Sequence, residues 1–313
     1  MISIIIPYHN EGKDFIKATL KSLEDTINIK HEIIIIDDCS DVPLKLNGQV
    51  VRHERNKGVG AAFDTGAKRA KYDRLFLMGS DIRFIKNKWA IQIVREIDRN
   101  SESFTCTKCV GINKDNMDME KRVHLGRNGA TILIFHDKKS HPKKAESFRN
   151  IIEAQWLPAE KDTKDSYKIP CILGAAYGVS KAWYNHVDGF AGHKTWGTLE
   201  PYISLKSWLF GGSCRVAPRI RTGHIFKAIG THNIPLSHVL YNKLFVASVL
   251  FGTKDRDRLI NFLGTNSTVN VAKALRDENI DYINRKRTEY KAKTKIKIED
   301  FCKQWNIDFR NNG

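Results

Sequence analysis

Two stretches decide the fold, Ile4-Ile5-Ile6-Pro7-Tyr8-His9-Asn10-Glu11 and Ile35-Ile36-Asp37-Asp38-Cys39-Ser40. Each is a short apolar run that ends in polar residues, a pattern typical of a buried strand followed by a loop. Arg74 to Met78 repeats the pattern and leads into Gly79-Ser80-Asp81. Residues with helical spacing lie between these runs. Strands that alternate with helices predict an α/β fold with a mostly parallel sheet flanked by helices.

The polar ends of the three runs are expected to form one site. In open parallel sheets, ligands bind beyond the carboxyl ends of the strands. Pro7–Glu11, Asp37–Ser40 and Gly79–Asp81 all follow a predicted strand. We therefore expect their side chains to meet at one edge of the sheet.

The charge of the chain predicts a polyanionic partner. The 313 residues include 52 Lys and Arg against 35 Asp and Glu, a formal charge of +17. One diphosphate needs far fewer cations, so the excess indicates nucleic acid, an anionic glycan or an acidic membrane surface. A solvated basic surface is the alternative. The hydrophobic content of 41% suits a folded globular protein.

A further strand is predicted over Ile172–Val179, and Trp208 to Phe226 predicts strand and turn. The pattern changes near Pro235, which predicts a catalytic domain over residues 1–235 and a helical, basic C-terminal extension over 236–313, with a helix over Thr268–Lys293. Tyr282 and Tyr290 lie among cations in the extension, an arrangement that can track a phosphate backbone. A solvated helix face is again the alternative. The residues predicted to bind nucleic acid are Arg285, Lys286, Arg287, Lys291 and Lys293, and Lys295 and Lys297 continue the run.

The sequence favours the cytoplasm. No apolar run reaches the ~18 residues of a membrane span, and Met1 leads directly into the first predicted strand without a signal-peptide pattern. Six cysteines in a chain of this length do not predict a disulfide framework. Cys106 and Cys109 form a lone C-x-x-C pair without two further ligands at zinc-site spacing, so we expect ordinary thiols.

The opening stretches resemble those of a family 2 glycosyltransferase, and Arg55 to Gly60 resembles the family's N-x-G-x-x-x-A stretch. Later motifs resemble the polypeptide N-acetylgalactosaminyltransferases, which share the GT-A fold. These motifs are Gly174-Ala175-Ala176-Tyr177 with Lys181, Trp196-Gly197, Ser204 to Trp208 with Gly211-Gly212, and Gly223-His224-Ile225-Phe226-Lys227. The resemblance implies a Rossmann-like GT-A fold and a nucleotide-diphosphate sugar as donor, most simply a UDP-sugar.

The resemblance also implies a nucleotide pocket. Asp38, with Pro7, His9 and Glu11, resembles the family's uridine pocket. An Asx-type turn closing onto Ser40 is the structural alternative for Asp38. Lys57 is placed where a cation could meet the diphosphate, although an ordinary surface lysine is the alternative.

A metal site is implied by Gly79-Ser80-Asp81, which falls where the family has its D-x-D or D-x-H motif. Gly79 occupies the first position, so Asp81 is expected to be the main ligand from this loop. His224 matches the histidine that completes the site in the N-acetylgalactosaminyltransferases. Oxygen ligands suit Mg²⁺ or Mn²⁺, and the imidazole suits Mn²⁺. A structural role for His224 and metal-independent catalysis stay open.

Trp196-Gly197-Thr198-Leu199-Glu200 resembles the W-G-x-E-D acceptor motif of inverting members. Inversion needs a general base opposite the leaving group, and Glu200 holds the second acidic position while Leu199 replaces the first. Glu200 is therefore the predicted base. Retaining relatives carry glutamate and asparagine here, so inversion is only favoured. Trp196 and Gly197 are predicted to form a platform for the sugar or acceptor, with core packing as the alternative for Trp196.

The favoured acceptor is a hydroxymethylated pyrimidine in DNA, of the kind that some bacteriophages glycosylate to protect their genomes; the cytoplasm would then be that of the host. The main alternative is an anionic cell-surface or capsular polysaccharide, or a lipid-linked glycan. A protein acceptor is a further possibility. In a non-enzymatic interpretation, Gly79 and Leu199 mark a degenerate transferase that acts as a nucleotide- or nucleic-acid-binding module.

Overall fold

The computed structural model describes residues 1–46, 48–84, 88–112, 126–135, 151–159, 165–225 and 234–309. Its strands are β1 (Ile2–Tyr8), β2 (His31–Asp37), β3 (Gln49–Arg52), β4 (Arg74–Met78), β5 (Ile82–Phe84), β6 (Ser103–Gly111), β7 (Arg127–Phe135), β8 (Ile151–Pro158), β9 (Tyr167–Lys168), β10 (Ala176–Ser180) and β11 (Ser213–His224). Its helices are α1 (Lys13–Thr26), α2 (Val59–Arg69), α3 (Trp89–Arg99), α4 (Lys181–His186), α5 (Leu199–Leu209), α6 (Leu236–Leu250), α7 (Thr253–Phe262), α8 (Ser267–Glu278), α9 (Ile280–Lys293) and α10 (Ile298–Gln304).

The strands form one mixed sheet in the order β3-β2-β1-β4-β10-β6-β11-β5. β1 pairs in parallel with both β2 and β4, and β2 pairs in parallel with β3. β10 runs antiparallel to both β4 and β6, while β11 is parallel to β6 and antiparallel to β5. Along this path, therefore, only β10 and β5 oppose the common direction. The predicted α/β fold with a mostly parallel sheet is confirmed.

β1 lies at the centre of the molecule because its side chains are buried on both faces of the sheet. Ile4 packs in a cluster with Ile16 of α1 and Ile93 of α3. Ile5 points to the other face, where its cluster includes Phe63 of α2. Side chains alternate between the two faces of a strand, so a continuous apolar run is what a sheet covered by helices on both faces requires.

The C-terminal helices belong to the same hydrophobic core as α2. The ring of Phe245 in α6 lies 5.8 Å from that of Tyr202 in α5 and 6.2 Å from that of Tyr282 in α9. The hydroxyl of Tyr290 donates to Asp188 at 2.7 Å and lies 3.0 Å from the hydroxyl of Tyr202. The division at residue 235 stays a prediction, and the two sides of it share a packed interface.

Some expected elements differ in the structure. Trp208 was expected in a strand-and-turn region but lies in α5, a helix that is buried on nearly every side. A helix with apolar residues all round has no amphipathic period to reveal it. The strand expected over Ile172–Val179 begins only at Ala176. The long helix expected over Thr268–Lys293 is two helices, α8 and α9, which meet at Asn279.

Within the part of the chain that the structure describes, no helix combines the length and the apolar character needed to cross a membrane. All six cysteines are free thiols. Cys106 and Cys109 are both buried in β6, and burial raises the pKa of each thiol to about 12. Both thiols belong to the same large hydrophobic cluster, and with raised pKa values they stay protonated near neutral pH.

Phe245→Ala tests whether α6 to α10 and the sheet unfold together. Loss of a buried aromatic ring is expected to lower the free energy of unfolding by about 3–5 kcal/mol. Denaturant unfolding followed by tryptophan fluorescence and by far-UV circular dichroism should then give one coincident transition shifted to lower denaturant.

The control is Val271→Ala on α8, whose side chain is 51% exposed; its effect should stay within about 0.5 kcal/mol. Two separate transitions, with only one of them moved by Phe245→Ala, would instead establish an independently folding unit after residue 235.

Candidate active site

Three strand ends meet at one edge of the sheet. The backbone N–H of Gly79, which follows β4, donates to the carbonyl of Ala175, which precedes β10, at 3.1 Å. The N–H of Ile225, which follows β11, donates to the carbonyl of Asp81 at 3.1 Å. Because β10 runs against β4, its start lies beside the end of β4. The motif segments around Gly79, Ala175 and His224 are therefore neighbours.

Asp81 and His224 come together as the sequence predicts. Nε2 of His224 lies 3.5 Å from Oδ2 of Asp81, and the two side chains are 18% and 20% exposed. Two cis ligands of one octahedral Mg²⁺ or Mn²⁺ ion lie about 3 Å apart, so small rotations would let both side chains bind one cation. Phe226 and Lys227, from the same motif, lie outside the described residues.

Gly79, at the position where the resemblance implies an acid, leaves room for the side chain of Asp81. A Cβ atom on Gly79 would overlap Oδ1 of Asp81. The Asp81 carboxylate thus folds back over the Gly79 backbone. Among the described residues, no group of three His, Cys, Asp or Glu side chains is placed to hold a metal ion. A cation held by Asp81 and His224 would need its other ligands from a bound substrate or from water.

Arg83 is hydrogen-bonded to the loop that contains Asp81, a role that was not predicted from the sequence. Its guanidinium is buried and donates to Thr19 Oγ1, to the carbonyl of Ser80 at 3.2 Å and to that of Phe15 at 3.1 Å. Burial lowers the pKa of Arg83, and the negative charges of Asp81 and Glu11 oppose that shift. Glu11, from the first loop, and Asp81 are therefore both near enough to act on the charge of Arg83. The sequence does not indicate this role of Arg83, because the role depends on the burial of its guanidinium, which only the structure shows.

Asp38 organises the loop that carries Lys57. Its Oδ1 accepts from the backbone N–H of Lys57 at 2.8 Å and lies 2.7 Å from Nδ1 of His53. Its Oδ2 accepts from the backbone N–H of Gly58 at 2.6 Å. Asp38 is only 3% exposed. Its carboxylate therefore shapes the loop from within, and His53 is a partner that the sequence analysis did not identify.

The Asx-type turn that was considered for Asp38 is made by Asp37 instead. Oδ1 of Asp37 accepts from the backbone N–H of Ser40 at 2.9 Å, and its Oδ2 accepts from Leu44 and Arg52. Burial acts to raise the pKa of Asp37, but these hydrogen bonds outweigh it and hold the pKa below the ordinary value. Asp37 is thus a structural anchor at the end of β2.

The other predicted nucleotide-binding residues lie at the end of β1, in the loop after it and in the loop before α2. Pro7 is buried in β1 opposite Ile36 of β2. Nε2 of His9 lies 3.2 Å from Nδ2 of Asn56, which joins the first loop to the loop before α2. Lys57, next in the chain, is exposed. The structure thus brings the first loop and the Lys57 loop together.

Glu200 lies next to the loop of Gly79, Ser80 and Asp81, which we call the cation loop. It stands in the first turn of α5, partly buried, and a Cβ atom on Gly174 would overlap its carboxylate. The residue after Gly174 accepts the hydrogen bond from Gly79 described above. Burial raises the pKa of Glu200, and the negative charge of Glu153 raises it further. A carboxylate of raised pKa at this position is suited to proton transfer.

Trp196 is 48% exposed and is followed by Gly197, whose φ is +100°. Its loop packs on the start of α2, because the N–H of Val59 donates to the carbonyl of Thr195 at 3.0 Å. A Cβ atom on Gly58 would overlap the Thr195 backbone. The exposed indole suits the predicted platform role, and its loop is continuous with the Lys57 loop.

The cations of α9 and of the segment after it divide into a group with polar partners and an exposed group. Lys286 contacts Asp188 at 2.6 Å and Glu289 at 2.9 Å, Arg287 donates to the carbonyl of Ser248 at 2.6 Å, and Lys293 contacts Glu289 at 3.0 Å. The exposed group comprises Arg285, Lys291, Lys295 and Lys297.

The two tyrosines that lie among these cations serve the core. Tyr290 is buried, and Tyr282 is partly buried with its ring stacked on that of Phe245. Neither presents a free aromatic face comparable to that of Trp196, so contacts with a polyanion at this helix would fall to the exposed cations.

The chain is similar to known glycosyltransferases. Residues 3–156 match the model of glycosyl transferase family 2. Polypeptide N-acetylgalactosaminyltransferase 10 of Mus musculus is 23% identical over 97% of this chain and 48% of its own length. Polypeptide N-acetylgalactosaminyltransferase 8 of Drosophila melanogaster is 28% identical over 72% of this chain and 38% of its own length. The chain thus spans about half the length or less of these relatives.

The fold matches that of a solved structure in the same group. The crystal structure of GalNAc-T7 with UDP, GalNAc and Mn²⁺ superposes with a TM-score of 0.73 at 20% identity, over 98% of this chain and 57% of that chain. This likeness confirms the predicted GT-A fold.

Gly79→Ala tests the geometry of the cation loop. The new methyl group would displace the Asp81 carboxylate from His224, so we expect Mn²⁺ affinity to fall by about 10-fold or more. Isothermal titration with MnCl₂, alone and with a nucleoside diphosphate, measures the change.

Gly252→Ala is the matched control, because its nearest neighbour to the added Cβ is Asp255 Oδ2 at 3.7 Å. Unchanged Mn²⁺ affinity in Gly79→Ala would show that the Asp81 carboxylate does not hold the cation.

Proposed function

We propose that this chain, a family 2 glycosyltransferase of GT-A fold that resembles the polypeptide N-acetylgalactosaminyltransferases, transfers a sugar from a nucleotide-diphosphate donor to an acceptor hydroxyl. One observation carries the proposal. Asp81 and His224, which are 143 positions apart in the sequence, meet at 3.5 Å at the edge of the sheet, and Glu200 lies against the backbone that is hydrogen-bonded to the same loop.

Asp81 and His224 would hold a divalent cation, and the GalNAc-T7 structure with UDP and Mn²⁺ supports both a UDP-sugar donor and Mn²⁺. A cation bound there would neutralise the charge that develops on a departing diphosphate. Arg83 keeps the Asp81 loop in place. Lys57 is exposed beside His9 and would contact the diphosphate or the nucleotide.

Glu200 is proposed as the general base. It would accept the proton of the acceptor hydroxyl as that oxygen bonds to the anomeric carbon of the sugar. The bond from the anomeric carbon to the diphosphate oxygen breaks at the same time, and the diphosphate leaves with the electron pair. Attack opposite the leaving group inverts the anomeric configuration. Trp196 would give the acceptor or sugar an apolar face to lie on.

For the acceptor, we propose a hydroxymethylated pyrimidine in DNA. The charge of +17 and the exposed cations of α9 and the segment after it support a polyanion. An anionic polysaccharide would satisfy the same charges. A polypeptide hydroxyl is the second candidate, favoured by the names of the relatives. The acceptor oxygen is an alcohol in every case, so Glu200 would play the same part.

The experiment is mass spectrometry of acceptors after incubation with a panel of UDP-sugars and Mn²⁺. The acceptors are duplex DNA with and without 5-hydroxymethylcytosine, serine- and threonine-containing peptides, and anionic polysaccharide. We expect the mass of one sugar to be added to hydroxymethylated DNA and not to its unmodified counterpart. Asp81→Ala should abolish both this transfer and Mn²⁺-dependent donor hydrolysis.

Sugar added to peptide or glycan instead would replace the DNA proposal. If no donor is turned over and Asp81→Ala is indistinguishable from the parent, the chain would be a binding module and not an enzyme.

Charge variants test the binding of DNA separately. Changing Arg285, Lys291, Lys295 and Lys297 together to Gln should weaken duplex binding. The log–log slope of affinity against salt concentration should become shallower by about 0.9 for each phosphate that is no longer neutralised. The control neutralises four exposed cations elsewhere, Lys45, Lys68, Arg69 and Lys71. Equal effects of both sets would show non-specific attraction only.

The pH profile tests Glu200. The base must be ionised to accept a proton, so kcat/KM should fall as the pH drops through the pKa of Glu200. Because burial and the Glu153 charge raise that pKa, the acid limb should lie above the ~4.3 of an ordinary glutamate. Glu200→Gln should lower kcat by about 10²–10⁴-fold and remove the limb.

Glu153→Gln supplies the matched comparison. It removes the charge that raises the pKa of Glu200, so the acid limb should move to lower pH without disappearing. An acid limb that persists unchanged in Glu200→Gln would assign the base to another group.

A further inference from the structure

The loop before α5 contains positive φ angles, which residues other than glycine rarely adopt. Thr195 has φ +36° and Thr198 has φ +63°, with Gly197 at +100° between them. Such residues persist only where their surroundings hold them, and they concentrate at functional sites. This loop carries the exposed Trp196 and leads directly into the turn that holds Glu200.

The side chain of Asn242 makes four hydrogen bonds to the backbone of this loop. Asn242 of α6 is completely buried. Its Nδ2 donates to the carbonyls of Lys194, Trp196 and Gly197 at 2.8, 3.2 and 3.1 Å, and its Oδ1 accepts from the N–H of Lys194 at 2.8 Å. One side chain thus satisfies four backbone groups within four consecutive residues of the chain. Only a carboxamide has the two donors and the acceptor that this arrangement uses.

The next residue of α6 holds a second segment, at the start of β8. The ammonium of Lys243, also completely buried, donates to the carbonyls of Ile151 and Ile152 at 2.5 and 3.3 Å and pairs with Glu153 at 2.8 Å. Ile152 has φ +47°. Glu153 is the residue whose charge acts on Glu200. Two adjacent residues of α6 therefore hold two segments with positive φ angles, one that leads into the Glu200 turn and one that precedes Glu153.

We propose that Asn242 is a positioning residue for the acceptor side of the site. It sets the place of Trp196 and the entry of the chain into the Glu200 turn, and it does so without contacting the donor loop around Asp81. This inference rests on the proposed function for its catalytic consequence, although the placement of Trp196 can be measured without any activity.

The choice of variants follows from these hydrogen bonds. Asn242→Asp has nearly the same shape but loses the N–H donors and sets a charge against three carbonyls. Asn242→Ala loses all four hydrogen bonds. The matched control is Asn270→Ala, an exposed asparagine in α8. Thermal unfolding of each variant shows whether it is folded at the temperature of the assays.

The first measurement is ¹⁹F NMR of protein labelled with 5-fluorotryptophan. The chain has six tryptophans, and Trp196→Phe assigns the Trp196 signal by its disappearance. We expect Asn242→Asp and Asn242→Ala to shift or broaden the Trp196 signal and to leave those of distant tryptophans such as Trp89 in place. Movement of all the signals would mean general unfolding and would overturn a positioning role, as would an unchanged Trp196 signal.

The second measurement separates an effect on donor binding from an effect on transfer to the acceptor. With UDP and Mn²⁺ as the probe, the affinity of Asn242→Asp should remain within about 2-fold of the parent, while kcat/KM for the acceptor found active falls about 10-fold or more. Equal losses of UDP affinity and transfer would overturn the proposal. If the parent turns over no donor at all, the proposed function fails, and the Trp196 signal still decides the role of Asn242.

Discussion

The parallel pairing of β1 with β2 and β4 is the constraint on which the rest of the site depends. Because these strands share one direction, the loops that follow them open at the same edge of the sheet. β10 enters the sheet in the opposite direction beside β4, which brings its start, at Ala175, to that same edge. The hydrogen bond from Gly79 to Ala175 then joins the first half of the site to the segment against which Glu200 lies.

The second half of the site is built by buried polar groups. Asn242 and Lys243 are both removed from water in α6, and such groups are costly unless each polar atom has a partner. Their partners are the carboxylate of Glu153 and backbone groups at Lys194, Trp196, Gly197, Ile151 and Ile152. Burial without partners is so unfavourable that these contacts define one arrangement. These contacts attach the loops of the site to helix α6, so the helix fixes the positions of the loops.

The sequence predicted those parts of the molecule that follow from local pattern. Unbroken isoleucine runs identify β1 and β2 because a strand covered on both faces needs apolar residues at every position. Helix α5 was not predicted in full from the sequence, because its residues are buried on nearly every side and show no amphipathic period. Asp37 and Asp38 are adjacent and chemically identical, so only coordinates show that one closes the turn at Ser40 and the other holds the Lys57 loop. Likewise, the partner of Lys286 is Asp188, 98 positions earlier.

The replacement of the first motif acid by Gly79 has a physical meaning for donor binding. The Asp81 carboxylate occupies the space over Gly79, so a second carboxylate there would compete with it for room and add like charge. With Asp81 and His224 as the protein ligands, a divalent cation would be bound incompletely until diphosphate oxygens joined it. The affinities for cation and donor would then be linked, each raising the other by the same factor. Such a site would be weak towards free metal and would become strong only with the nucleotide sugar in place, so that the metal centre would assemble together with the substrate.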